Sequence, residues 1–170
     1  MELEKTTAVR VVRRAFELRP EPAPTLDPQG EYLTRVWRQS VYPLAERLGM
    51  PIRLPPVQPR SRLAHEAARF AATKGKLPLL HWEIFRAFFE RGEDIGRVEV
   101  LVALGETVGL DGGELRRAVD ARQFEKDVVA DEERADHLGI HAVPAYVTNG
   151  QWVVTGVRTL EELVRLRGGG

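Results

Sequence analysis

Apolar positions recur at two different intervals along this chain. Through the middle they fall three or four residues apart, the period of an amphipathic helix. Towards both ends they gather in short runs bounded by turn residues, as strands do. Ala8–Leu18 predicts a strand: Val9, Val11, Ala15 and Phe16 are apolar, and Val12 breaks strict alternation, as in a partly buried strand. Met1–Thr7 before it is polar and predicts a frayed end. The prolines of Arg19-Pro20-Glu21-Pro22-Ala23-Pro24 after it favour extended backbone. At the other end, Val143, Tyr146 and Val147 form one apolar run and Trp152, Val153 and Val154 a second. Asn149-Gly150 lies between them and supplies the positive φ that a tight hairpin turn requires. Pro144 cannot donate to a ladder, which places it at a strand start or an edge.

The helical middle is punctuated by caps and breakers. Asp27-Pro28 predicts a helix start, with Asp27 as N-cap and Pro28 in the first turn. Tyr32, Leu33, Val36, Trp37, Val41, Leu44 and Leu48 follow, Pro43 kinks or splits the segment, and Gly49 ends it. Met50–Pro59 is a proline-rich connector. Ser61 is an N-cap for a helix through Thr73, whose Leu63, Ala64, Ala67, Ala68 and Ala71 make a face for close packing before Gly75. Pro78 starts the next helix; its Leu80, Trp82, Ile84, Phe85, Phe88 and Phe89 read as the core of a helical subdomain, with the alternative that an exposed subset of the aromatics lines a groove between two subdomains. Asp94-Ile95-Gly96 is a turn, and Val98–Val108 is a further helix despite Gly105. Asp111-x-x-Glu114 and Asp120-x-x-Gln123 resemble capping boxes. Asp120–Leu138 then carries Phe124, Val128 and Ala135 on one side and mostly charge on the other, with Asp131, Glu132 and Glu133 read as a solvated face. Gly139 closes it, and Thr159–Leu166 is the last helix. The order is strand, helices, strand, strand, helix, an α/β chain with a helical insertion.

Three stretches carry a resemblance. They are Ser61-Arg62-Leu63-Ala64-His65-Glu66-Ala67; then Phe85-Arg86-Ala87-Phe88-Phe89-Glu90 with Asp94-Ile95-Gly96; then Ala130-Asp131-Glu132-Glu133-Arg134-Ala135 running into Gly139-Ile140-His141-Ala142-Val143-Pro144. In this order and spacing the chain, from about Val9 onward, resembles the DsbA-type thioredoxin-like proteins, in particular their FrnE-like and 2-hydroxychromene-2-carboxylate isomerase-like branch. The resemblance implies an α/β thioredoxin-like fold of DsbA type with an all-helical insertion. Residues 1–26 and 131–170 would form the thioredoxin-like part and residues 27–130 the insertion. It also implies that Val143–Pro144 is cis and that Ala142, Val143 and Pro144 bind substrate. There the residue before the proline offers its backbone N–H and C=O to an extended peptide or to glutathione, by strand addition.

Composition changes this picture at one point. With 170 residues, 43% of them hydrophobic and 29% charged, the chain is long enough for one domain, or a small domain carrying an insertion. Its formal net charge is zero and no basic patch is interleaved with aromatics, which gives nucleic-acid binding no electrostatic support. It has no apolar run of a signal peptide or a membrane span, and a soluble, cytoplasmic protein is the expectation. Above all it has no cysteine, hence no thiolate nucleophile, disulfide or Cys-ligated metal. In the family a strand and a Cys-x-x-Cys helix precede the strand matched by Ala8–Leu18, and Met1–Thr7 cannot supply them. No catalytic residue is therefore expected. The neighbours of that central strand would then either pair directly, Ala8–Leu18 with the hairpin in a three-stranded sheet, or be completed by a second copy in a homodimer.

The remaining candidates are weaker. His137 and His141 are four apart, but Gly139 breaks the helix between them, so no metal site is expected. His65 and His81 lie on helices rich in packing residues. Arg60 and Arg62 flank Ser61 at a helix start, where an anion could sit, against the simpler reading of an N-cap. In the isomerase branch a bound glutathione works with an active-site serine, and an aromatic-Gly pair followed by polar residues precedes the last helix; here that place holds Thr155-Gly156-Val157-Arg158. Three functions remain open: a DsbA/FrnE-like protein without redox chemistry that binds a peptide or thiol ligand, a glutathione-linked isomerase or transferase, and a non-enzymatic binding module.

Overall fold

The computed structural model describes residues 2–7, 9–148 and 152–166. The chain divides into two compact units, residues 19–128 and residues 1–18 with 129–170. The Asn149-Gly150 turn lies outside the described residues.

Residues 19–128 are helical. They contain α2 (Glu31–Val36) and α3 (Tyr42–Arg47), joined by a π-helical turn at Trp37–Val41. There follow α4 (Arg62–Thr73), α5 (Leu77–Arg86), a second π turn at Ala87–Arg91, α6 (Val98–Thr107) and α7 (Gly112–Asp120). The first π turn has a local cause. Pro43 has no N–H to give Gln39, and its ring crowds that carbonyl, so the ladder widens just before it and Tyr42 N–H reaches back to Trp37. One core runs through the unit. Ala64, Ala67, Phe70 and Ala71 of α4 meet Leu80, Ile84 and Ala87, then Leu101 and Leu104, then Leu115, Ala118 and Val119. Small residues on α4 let its neighbours approach closely. Gly105 does the same between α6 and α7, since a Cβ there would run into Leu115 Cδ2.

Several sequence expectations need correction here. Asp27 does not cap a helix: its carboxylate accepts from Gln29 N–H at 2.9 Å and its carbonyl from Gly30 N–H at 3.0 Å, a turn that delays the helix to Glu31. Ser61 precedes α4 but its hydroxyl makes no cap bond. Asp111 does cap α7, accepting from Glu114 N–H at 2.7 Å. Asp120, by contrast, ends α7 instead of opening the next helix, because Arg122 turns the chain with φ +53. The aromatic run after Pro78 is only partly core: Leu80 and Ile84 are buried, whereas Trp82 is 64% exposed and Phe85 45%.

In the other unit, α1 (Glu2–Thr6) lies against α9 (Leu160–Leu166), so residues 2–6 are helical where a frayed end was expected. α8 (Glu125–His137) leads into the hairpin of β1 (Ala145–Thr148) and β2 (Trp152–Thr155). The strands are antiparallel, with Ala145 opposite Thr155 and Thr148 opposite Trp152, and among the described residues they form the whole sheet. The strand expected at Ala8–Leu18 is therefore a correction, and so is the three-stranded sheet. Residues 9–17 have no regular secondary structure, Leu18 lies in a bend, and among the described residues they pair with no strand. Side chains take their N–H groups instead: Thr7 Oγ1 accepts from Val9, Glu4 Oε1 from Val11, and Asp131 Oδ2 from Ala15 at 2.8 Å. Thr159 and Glu162 form a reciprocal capping box at the start of α9. Among the described residues, no helix is long and apolar enough to cross a membrane.

Candidate functional site

The loop His141–Pro144 is set up from the helix before it. α8 ends in a Schellman motif: Gly139, at φ +66, donates to Asp136 C=O at 2.9 Å and Ile140 to Ala135 C=O at 2.9 Å. Ile140 and Ala135 are both buried, so the chain is pinned there before it emerges. His141, Ala142, Val143 and Pro144 are all exposed. The Val143–Pro144 peptide bond is cis, as is Glu21–Pro22. After the loop the hairpin takes over, and Gly156 N–H donates to Pro144 C=O at 2.8 Å, one step beyond the last strand pair.

That last bond fixes which way the backbone faces. In an antiparallel pair, hydrogen-bonded and non-bonded positions alternate. Pro144 with Gly156 is a bonded position, so Tyr146 with Val154 and Thr148 with Trp152 are bonded too. Val143, Ala145 and Val147 point their N–H and C=O groups the other way, to the free edge of β1. Among the described residues no strand lies on that edge, and neither Ala142 nor Val143 has a hydrogen-bond partner for its N–H or C=O. Val143 and Val147 are exposed as well. The arrangement can add an extended backbone to the sheet through alternate residues, with side chains selecting little.

The other candidates separate from this loop. His137 closes α8 with its Nδ1 2.7 Å from Glu133 C=O, while His141 lies past Gly139. Among the described residues no group of three or more His, Asp or Glu could hold a metal. His81 lies against Phe85 with centroids 4.9 Å apart and ring planes tilted by 54°, and His65 is half-buried on α4. Arg60 is engaged, donating to Arg19 C=O at 2.6 Å. Arg158 turns back onto Thr155 C=O at 2.8 Å.

Three buried carboxylates, Glu17, Glu66 and Asp131, were missed by the sequence reading. Asp131, read there as solvated, is 4% exposed and holds Arg14 at 2.9 Å besides Ala15 N–H. Its signal lay in the spacing Phe124, Val128, Asp131, Ala135, which puts it on the apolar stripe of α8. Glu66 is 1% exposed on α4. Its Oε1 accepts from Arg122 Nε at 2.9 Å, and its Oε2 is buried without a hydrogen-bond partner. Burial pushes the Glu66 carboxyl above its ordinary range, against the pull of the Arg122 guanidinium.

Residues 2–166 match the family described as the DSBA-like thioredoxin domain. The chain belongs to that family. Among similar proteins, it is 36% identical over 153 residues to the uncharacterized protein YwbO of Bacillus subtilis (strain 168), covering 87% of this chain and 76% of that one. Among solved structures it is similar to the probable DsbA oxidoreductase SCO1869 from Streptomyces coelicolor. The TM-score is 0.73 at 25% identity, covering 97% of this chain and 80% of that one. The fold is the DsbA-like thioredoxin fold, mostly helical with a small two-stranded sheet. This member of the family has no cysteine.

Proposed function

We propose that this DSBA-like chain binds an extended peptide or a small thiol ligand such as glutathione at Ala142, Val143 and Pro144 and along the free edge of β1, without carrying out thiol–disulfide exchange. The observation that supports the reading most is the open edge itself. Val143, Ala145 and Val147 present successive outward peptide groups beside an exposed loop, where main-chain bonds could form with little rearrangement. The absence of any thiol removes the nucleophile that exchange needs. A bound chain would then be held and released, not oxidised or reduced.

Fluorescence anisotropy with a library of labelled extended octapeptides tests this, with glutathione titrated in parallel by calorimetry. Val147→Pro removes only an outward N–H and leaves the β2 ladder in place; Val143→Pro removes the one in the loop. Each should weaken peptide binding about tenfold or more, the equivalent of one lost hydrogen bond. Circular dichroism should stay that of the wild type. Binding that ignores both substitutions, or binding of neither peptide nor glutathione, would reject the reading. Glutathione binding alone would point to the isomerase-like alternative.

A further inference from the structure

Helix α5 shows solvent a stripe that its own unit does not cover. Leu79 is 52% exposed, Trp82 64% and Phe85 45%, at i, i+3 and i+6. Together these positions turn one side of the helix outward, while Leu80, Ile84 and Ala87 face the core. The stripe is backed by an aromatic run. Phe85 stacks on Phe89 at 5.8 Å, Phe89 meets Trp37 at 6.1 Å, and Trp37 meets Tyr42 edge-on at 5.4 Å. Such a backing holds the exposed Phe85 ring in place at little entropic cost on binding. Large aromatics presented this way are what binding hot spots consist of.

The charge around the stripe narrows the occupant. Its border carries Glu83, Arg86, Glu90 and Arg91, both signs in alternation. Arg86 lies 3.3 Å from Glu83 and 3.4 Å from Glu90, and Arg91 lies 3.6 Å from Glu83. These charges cancel locally, so the border has no field to draw in a nucleic acid, an anionic membrane or a strongly charged peptide. A border of mixed sign is complementary to itself when two helices cross antiparallel about a two-fold axis. With the axis between Glu83 and Arg86, Glu83 of one copy faces the second copy's Arg86, and the reverse. Whole chains do not oppose the approach either, since 25 Lys and Arg balance 25 Asp and Glu.

We infer that the α5 stripe is an isologous contact between two copies of this chain, with Trp82 and Phe85 at its centre. A single helix face is below the standard interface size, which makes a dimer of micromolar strength the expectation. The contact uses residues remote in sequence from the β1 edge and does not depend on ligand binding there.

Sedimentation velocity between about 1 μM and about 1 mM tests it, a span that brackets such affinities. The mass should rise from the 19.1 kDa of one chain to twice that. Trp82→Glu and Phe85→Glu, both at exposed positions, should each stay monomeric throughout with unchanged circular dichroism. The decisive arm uses charge. Glu83→Arg and Arg86→Glu should each weaken dimerisation alone, because like charges then face across the axis. An equimolar mixture of the two variants should recover it as a heterodimer, a rescue that damage to either chain alone would not give. A chain monomeric up to about 1 mM, a dimer indifferent to Trp82→Glu, or a mixture without recovery would each overturn the inference. So would a monomer whose Trp82 emission shifts to the blue only with an amphipathic peptide or with anionic vesicles, since that would assign the stripe another occupant.

Discussion

Asp131 and Glu66 are both acidic, both buried and both on helix stripes otherwise given to alanine, valine and phenylalanine, yet their hydrogen-bond partners differ. Asp131 spends one oxygen on Ala15 N–H and the other on Arg14, and so ties the segment around Arg14 and Ala15 to α8. Asp131→Ala leaves that buried N–H without an acceptor, and stability should fall by about 2–3 kcal/mol. Asp131→Asn, which keeps an acceptor, should lose less. Urea denaturation separates the two, and equal losses would mean that the carboxylate only fills space. Glu66 has one oxygen on Arg122 and one with none, and its folded-state pKa lies above the ordinary value near 4.5. A raised carboxylate pKa means that the fold prefers the protonated form. Its contribution is therefore fully present below about pH 4.5 and declines as pH rises through the elevated value. Arg122, and beyond it Arg62 and Glu125, are the charges that act on it. Glu66→Gln removes this dependence. The variant's standing against wild type should improve as pH rises from about 4.5 through the elevated value, and level off above it. A wild type that gains on the variant with rising pH would show that the Arg122 pair outweighs desolvation.

The helices were legible at the scale of elements because their breakers act locally. Gly75, Gly92, Gly109 and Gly139 each take positive φ just past a helix or π turn, and Asp111 caps where its spacing to Glu114 said it would. Helix starts at Asp27 and Asp120 were misplaced for the same kind of reason: an aspartate before a turn and one before a helix have the same sequence, and the positive φ of Arg122 has no residue signature. Residues 9–18 were misread for a reason that is not local at all. An alternating extended segment can be satisfied by a ladder or by side chains, and the decisive acceptor, Asp131, lies 116 residues away. Gly105 is the converse case, a residue that looks like a helix defect and is a packing requirement. Gly105→Ala gains helix propensity of up to about 1 kcal/mol. It also drives a methyl into Leu115, which is fully buried and cannot swing aside. Overpacking of this kind costs about 1–3 kcal/mol, so the net effect should be a loss, read as a lowered melting temperature. A gain would show that the α6–α7 contact can open to admit a methyl group.

For the whole molecule, the family's exchange chemistry and the family's fold come apart. Exchange requires attack by a thiolate; with no cysteine, the 170-residue chain should reduce insulin no faster than buffer, and turnover above that level in verified material would contradict the reading. The binding proposed above would use the free edge of β1, which lies on the less consolidated of two units. The large apolar cluster of α4 to α7 lies wholly within residues 19–128. In the other unit, among the described residues, β1 and β2 pair in a sheet only with each other, and α9 buries none of its residues. An isolated two-stranded hairpin is marginal in water, and amides open with free energies that follow local burial. Hydrogen exchange should therefore be slow at Leu101 and Leu115 and faster by orders of magnitude at Tyr146 and Val154, although the latter pair are ladder bonded. An extended peptide on the free edge of β1 would alter this in a particular pattern. Val147, whose N–H faces outward, would gain protection directly from the bound strand. Tyr146 and Val154 would gain only as the hairpin opens less often. Protection that appears at Val147 first, at a peptide concentration matching the anisotropy curve, is the expected result. Hairpin amides as slow as Leu115 without any peptide would mean that the edge is already closed, and would remove the physical basis for ligand binding there.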